Sequence, residues 1–246
     1  MANERLFSRA VVRVAPAEPG EDEAQFLQGL FTNDVTGTLP VYAGLLTPQG
    51  KTLFDFIVWP GGHGALLLDC EAEAAEDLVK RLSLYRLRRK LAIAVDSSLG
   101  VYWQAERGDG GAPDPRLPDL GQRWIAKVSD EDQPVDDDWL KHRLALGVPE
   151  GRDELGDILW LETNAEALNG VSFSKGCYVG QENTARMNWR AKINRRLVVL
   201  EGEGERTRIA YPKIGLSVAH VRVDAIPDKA IVPEWLEAAL DQPTSA

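Results

Sequence analysis

The chemistry-bearing stretch of this chain is Lys175-Gly176-Cys177-Tyr178-Val179-Gly180-Gln181-Glu182. It sets a cysteine between two glycines and two residues from a lysine. Glycine lets the backbone turn sharply and approach another group closely. A thiol on such a loop can be accessible, and a nearby cation such as Lys175 can favour its thiolate. The other reading is a plain turn with a small buried cysteine. Between residues 175 and 196 stand six Lys or Arg and one Glu, in a chain of net charge -10. Lys175, Arg186, Arg190, Lys192, Arg195 and Arg196 form this basic island, which suggests an anionic ligand at one place or a solvated face.

Other functional classes find little support. The pI near 4.9 argues against broad contact with a phosphate backbone. The two cysteines, Cys70 and Cys177, are too few for a disulfide framework and lack metal-ligand spacing. Cys70 ends the apolar run 65–70 and reads as core. A reducing, cytoplasmic setting is expected. Residues 1–13 lack the apolar region of a signal peptide, and Glu18 to Glu23 are too acidic for a transit peptide. No stretch has the length of a membrane span. His63, His142 and His220 have no ligand-like partner at helical spacing, and phosphate-loop, dinucleotide and Gly-x-Ser-x-Gly motifs are absent from the sequence.

Periodicity supplies the elements that must position these groups. Ala10 to Val14 alternates as a strand. Glu21, Asp22 and Glu23 open a helix whose apolar face is Ala24, Leu27, Leu30 and Phe31. Strands follow at 52–59 and 65–70. A helix striped by Ala75, Leu78, Val79 and Leu82 and a strand at 91–95 complete a split βαβ pattern. Further strands are expected at 100–106 and 123–129. Asp136-Asp137-Asp138 should cap a helix ending at Gly147, a helix-like stretch covers 157–168, and short β signals follow residue 195 before a helix over 233–240.

Lys-Gly-Cys-Tyr-x-Gly-Gln-Glu resembles the signature of the YgfZ family, folate-binding proteins similar to the T-protein (aminomethyltransferase) of the glycine cleavage system. Their mitochondrial counterparts help mature iron–sulfur proteins. Supporting blocks are Phe26 to Val35, Leu46 to Lys51, Asp114 to Arg123, His142 to Gly151 and Leu161 to Asn164, in order across residues 5–232. The resemblance implies an α+β, T-protein-like fold: a ferredoxin-like lobe over 1–97, a second α+β lobe carrying the cysteine loop over 98–194, and a short β-barrel-like domain over 195–246.

It also implies tetrahydrofolate or a derivative as ligand. Glu162 is then the pterin anchor, or else a surface carboxylate. Asp55, amid Leu53-Phe54 and Phe56-Ile57, stands near the reactive folate nitrogens or on the wet face of its strand. Lys175 and Arg190 would pair with the glutamate carboxylates. Asn33 and Gln181 complete the pocket. Tyr178 and Trp189 offer stacking surface or core, and Trp189 reads as core. Cys177, which the T-protein reaction does not need, would contact a cluster, form a mixed disulfide or trap a one-carbon species. One cysteine does not hold a cluster alone, so partner proteins of the iron–sulfur machinery, client enzymes or a second protomer must supply ligands. The function implied is a folate-binding accessory factor for iron–sulfur assembly or repair. Effects on tRNA modification would be indirect, without direct nucleic-acid or membrane contact. The alternatives are a folate-dependent one-carbon transferase using Asp55 and a protein acting directly on RNA.

Overall fold

The computed structural model describes residues 4–106, 108, 110–190 and 193–240. In chain order the elements begin with β1 (Glu4–Leu6), β2 (Arg9–Pro16), α1 (Glu23–Gln28), β3 (Val41–Leu46), β4 (Thr52–Pro60), β5 (Leu66–Glu71), α2 (Ala75–Arg86) and β6 (Leu91–Val95). There follow β7 (Leu99–Gln104), β8 (Ala112–Pro113), β9 (Gln122–Lys127), β10 (Gln133–Pro134), α3 (Asp136–Ala145) and α4 (Arg152–Leu155). The chain ends with α5 (Gln181–Arg190), β11 (Arg195–Glu201), β12 (Thr207–Tyr211), β13 (Leu216–Arg222), β14 (Ala230–Ile231) and α6 (Glu234–Leu240).

The expected βαββαβ unit is present. Its sheet runs β3-β4-β5-β2-β6, all antiparallel, which is the ferredoxin-like order with β3 added at the edge. Asp22 caps α1, its carboxylate accepting from Gln25 N at 2.8 Å. The stripe of α2 buries Ala75, Leu78 and Leu82 with Val12, Phe56 and Leu68 on one face of this sheet. A second sheet, β10-β1-β7-β9-β8, covers the other face. Val11, Ile57, Trp59 and Leu67 from the first sheet meet Leu6, Val101 and Trp103 from the second, with Trp139 and Trp160 between them.

The first sheet is therefore covered on both sides. That explains why β4 and β5 are buried almost continuously rather than alternately. The third sheet, β12-β13-β11-β14, packs Leu197, Val199 and Val218 against Leu144 and Leu155, and its opposite face against Leu236 of α6. It is an open four-stranded sheet, so the barrel-like closure expected after residue 195 is not formed among the described residues.

Three local expectations change. Asp136-Asp137-Asp138 is the first turn of α3 rather than its cap, and the Asp136 carboxylate accepts from Phe7 N and Ser8 N at 3.0 and 2.7 Å. The acids still face the positive end of the helix. The stretch 157–168 holds only a single 3-10 turn, Trp160–Thr163. Trp189 is 80% exposed and not core.

Candidate functional site

The cysteine loop is held at two points with Cys177 free between them. On one side the buried Lys175 ammonium donates to the carbonyls of Gln28 and Phe31, at 2.7 and 2.5 Å. These carbonyls lie at and just beyond the C-terminal end of α1, where a cation meets the negative end of the helix. Burial depresses the lysine to about 8 against the opposing pull of Asp34. The ammonium also lies 5.1 Å from the centre of the Tyr178 ring. Ser172 N donates to Thr32 O at 3.0 Å and ties the loop entry to the same segment.

On the other side Tyr178 inserts into the core between the two large sheets. Burial pushes its phenol up to about 12. Gly180, at φ +84°, closes against the turn 47–50: a Cβ there would lie 2.5 Å from Thr47 O and 3.1 Å from Gly50 Cα. Asn183 Nδ2 donates to Gln49 O at 2.8 Å and fixes α5 to the same turn. Gly176 and Cys177 are exposed, and a Cβ on Gly176 would meet nothing within 4 Å. Lys175 in, Gly176 and Cys177 out, Tyr178 in: the fold presents one thiol on a clamped segment. Among the described residues no group of three or more His, Cys, Asp or Glu stands together as a metal site.

The basic island does not form one anion site. Lys175 points into the protein, and Arg186 pairs with Glu182 at 3.0 Å along α5. Arg196 is buried and donates to Asn164 Oδ1 and Ala239 O. Arg195 lies on β11 opposite Arg222. Arg190 ends α5 with its side chain outside the described residues, and Lys192 lies outside them altogether.

The other named residues scatter over three settings. Asn33 is a structural amide, donating to Tyr42 O at 2.9 Å and Asn169 O at 2.8 Å while accepting from Asp34 N. Gln181 opens α5, half-buried, four residues beyond the thiol. Glu162 sits in the 3-10 turn, half-buried, with its Oε2 at 3.0 Å from His220 Nε2 of β13. The pair is close in distance, but the ring nitrogen lies off the hydrogen-bond line. Asp55 faces the layer between the two large sheets, so the wet-face reading is overturned. It accepts from Gly151 N at 3.2 Å and from Tyr42 Oη at 3.4 Å. Burial pushes its carboxyl up to about 6, with Arg9 opposing. The cleft beside it measures about 10 Å³, room for about one water.

Around Asp55 lies a network that the residue-by-residue reading missed. Arg9 Nε donates to Asp69 Oδ1 at 2.6 Å, and Arg123 donates to the other Asp69 oxygen at 2.9 Å. Arg116 holds Asp114 with two hydrogen bonds and Glu150 with one. Burial would raise Glu150, but Arg9, Arg116 and Arg123 outweigh it and hold this carboxylate well below its usual range. Trp139 and Tyr42 cover the guanidinium groups of Arg116 and Arg123. One signal was visible: Asp69 in Leu66-Leu67-Leu68-Asp69-Cys70 is as isolated among apolar residues as Asp55.

The arrangement is that of a packed three-sheet α+β protein presenting, among the described residues, a single exposed thiol. Among solved structures the glycine cleavage system aminomethyltransferase T of Bartonella henselae superposes with a TM-score of 0.63 at 10% identity, covering 89% of this chain and 78% of that one. The chain therefore has the aminomethyltransferase T fold. In sequence it is similar to the mitochondrial iron–sulfur cluster assembly factor IBA57 of Homo sapiens, 35% identical over 78% of this chain and 64% of that protein. The Mus musculus IBA57 is 34% identical over 81% of this chain and 66% of its own length, and the Neurospora crassa homologue 31% over 79% and 52%. The chain thus spans between half and two thirds of these relatives. No family model matches it. The relatives are mitochondrial, which overturns the cytoplasmic setting expected above.

Proposed function

We propose that this protein is an accessory factor in the assembly or repair of iron–sulfur proteins, working through Cys177. The carrying observation is the exposed thiol on a segment pinned by Lys175 and Tyr178. The similarity to iron–sulfur cluster assembly factors supplies the substrate class. A thiolate is the form that binds iron. It would give one ligand to a cluster whose other ligands come from an assembly protein, a client enzyme or a second copy of the chain. Any effect on tRNA modification follows through iron–sulfur enzymes that act on tRNA.

Tetrahydrofolate has less support from the side chains. Asp55, Lys175 and Asn33 have protein partners for their polar groups, and Tyr178 is core. Glu162 and Gln181 are left for a ligand. With Asp55, Lys175, Asn33 and Tyr178 engaged by the protein, these described side chains leave a pterin few free partners, so no step of the proposed function runs through folate. The same burial of Asp55 weighs against one-carbon transfer. Detection of Asp55-dependent aminomethyl transfer to tetrahydrofolate would reverse that judgement.

The test is anaerobic gel filtration of the protein with a cluster-loaded assembly protein. The wild type should carry cluster absorbance in a mixed peak and Cys177→Ala should not. Equal cluster retention by both would remove the thiol from the reading.

A further inference from the structure

The C-terminal end of α2 breaks two rules of an ordinary surface. Leu84 is 69% exposed and Leu87, which ends the helix, is 85% exposed. Leu87 also sits at φ 50°, ψ -113°. A side chain with a Cβ pays a steric penalty there, and such outliers persist where the surroundings impose them or where a function uses them. Leucine thus stands where glycine would be relaxed and where no core contact rewards it.

The two leucines stand at adjoining hollows. One, of about 770 Å³, is lined by Phe26, Tyr85, Arg86, Leu87, Arg88 and Arg89 without a carboxylate. The other, of about 570 Å³, includes Leu84, Leu53, Phe54 and Arg81 together with Asp77 and Asp157, whose carboxylates are paired with Lys80, Arg152 and Lys51. Arg86 donates to Leu91 O and Arg89 to Glu21, whereas Arg81 and Arg88 have no ion-pair partner among the described residues. The first hollow, apolar and cationic on a chain of net charge -10, is an exception to its background.

We propose that this end of α2 is a docking surface for an acidic amphipathic helix of a partner protein. Leu84 and Leu87 would meet its apolar stripe, and Arg81 and Arg88 its carboxylates. Charge complementarity selects an acidic partner, and the hollows suit side chains of a helix. An anionic bilayer would be repelled by the acidic remainder of the chain. The proposal is independent of the thiol loop.

The experiment is fluorescence anisotropy with a labelled synthetic helix carrying Leu at i, i+3 and i+7 and Glu on its flanks. Controls are the same peptide with Ser for Leu, the same with Lys for Glu, and phosphatidylglycerol vesicles. The Leu/Glu peptide should bind saturably. Leu87→Gly and Arg88→Glu should each weaken it about tenfold or more. Leu87→Gly should also raise the thermal midpoint by relieving strain, which separates lost binding from lost folding. Arg88→Glu should gain affinity for the Leu/Lys peptide, and Cys177→Ala should bind as the wild type does. The proposal is overturned by unchanged affinity in both variants, by equal binding of the Ser peptide, or by vesicle binding without peptide binding.

Discussion

Replacing Gly180 with alanine asks whether the thiol loop owes its place to close packing or to general flexibility. Gly180 lies at φ +84°, where an L side chain costs about 1–2 kcal/mol. The added Cβ would also fall 2.5 Å from the backbone oxygen of Thr47, which a rotamer change does not relieve. Displacing packed backbone costs roughly a further 1–3 kcal/mol. The sum is a loss of about 2–5 kcal/mol, or roughly 5–15 °C in thermal midpoint for a chain of this size. Gly176, on the other side of Cys177, has open space at its Cβ position, so Gly176→Ala should stay within about 0.5 kcal/mol. Urea titration gives both values, and the rate of Cys177 alkylation reports the loop directly. Gly180→Ala should alter that rate and Gly176→Ala should not. Equal destabilisation by the two substitutions, or none by either, would refute the clamp.

Four further outcomes follow from the same geometry. Cys177→Ala, at an exposed position, should change stability by less than about 0.5 kcal/mol in denaturant titration. Asp55→Asn should stabilise by about 1–3 kcal/mol near pH 7. The reason is that the folded protein holds the Asp55 proton up to about 6 while the unfolded chain releases it near its model value of 3.8. The wild type therefore loses stability relative to the variant as pH rises from about 4 to 6, and unfolding midpoints should coincide only below the unfolded value, at about pH 3. Lys175 runs the opposite way: its folded value is near 8 against 10.5 unfolded, so the penalty for burying its charge is relieved as pH rises through that window. Comparing the pH profile of Lys175→Met with that of the wild type should expose this term as a difference confined to pH 8–10.5. Asp69→Asn strips one charge from between Arg9 and Arg123 in a fully buried site and should cost about 3–5 kcal/mol by chemical denaturation.

What could be read from the chain was whatever is local or carried by a specific motif. The βαββαβ unit followed from alternation at 10–14, the α2 stripe and flanking turns, and the cysteine loop stood out by type and spacing. Strand β3 did not, because Gly44 weakens its signal. That glycine has a tertiary cause: a Cβ would lie 3.0 Å from the Trp160 ring, which packs against Tyr42. Direction was equally hidden. Lys175 and Arg196 belong to a basic run in sequence, but their carbonyl and amide partners lie 144 and 32 residues away and turn both side chains inward. Asp55 and Asp69 show the same limit, since alternation assigns a wet face to a strand that a second sheet covers. The ionic layer joins Arg9, Asp69, Arg123 and Glu150 from four separate segments, and its pairing depends on how two sheets stack.

The role proposed for Cys177 is service to iron–sulfur assembly. It is tested most directly in cells depleted of their own assembly factor and supplied with the wild type, Cys177→Ala or Gly176→Ala at matched protein levels. The readout is the activity of a [4Fe–4S] enzyme against a cluster-free control enzyme. Rescue is expected from the wild type and Gly176→Ala and none from Cys177→Ala. Full rescue by Cys177→Ala would contradict that role.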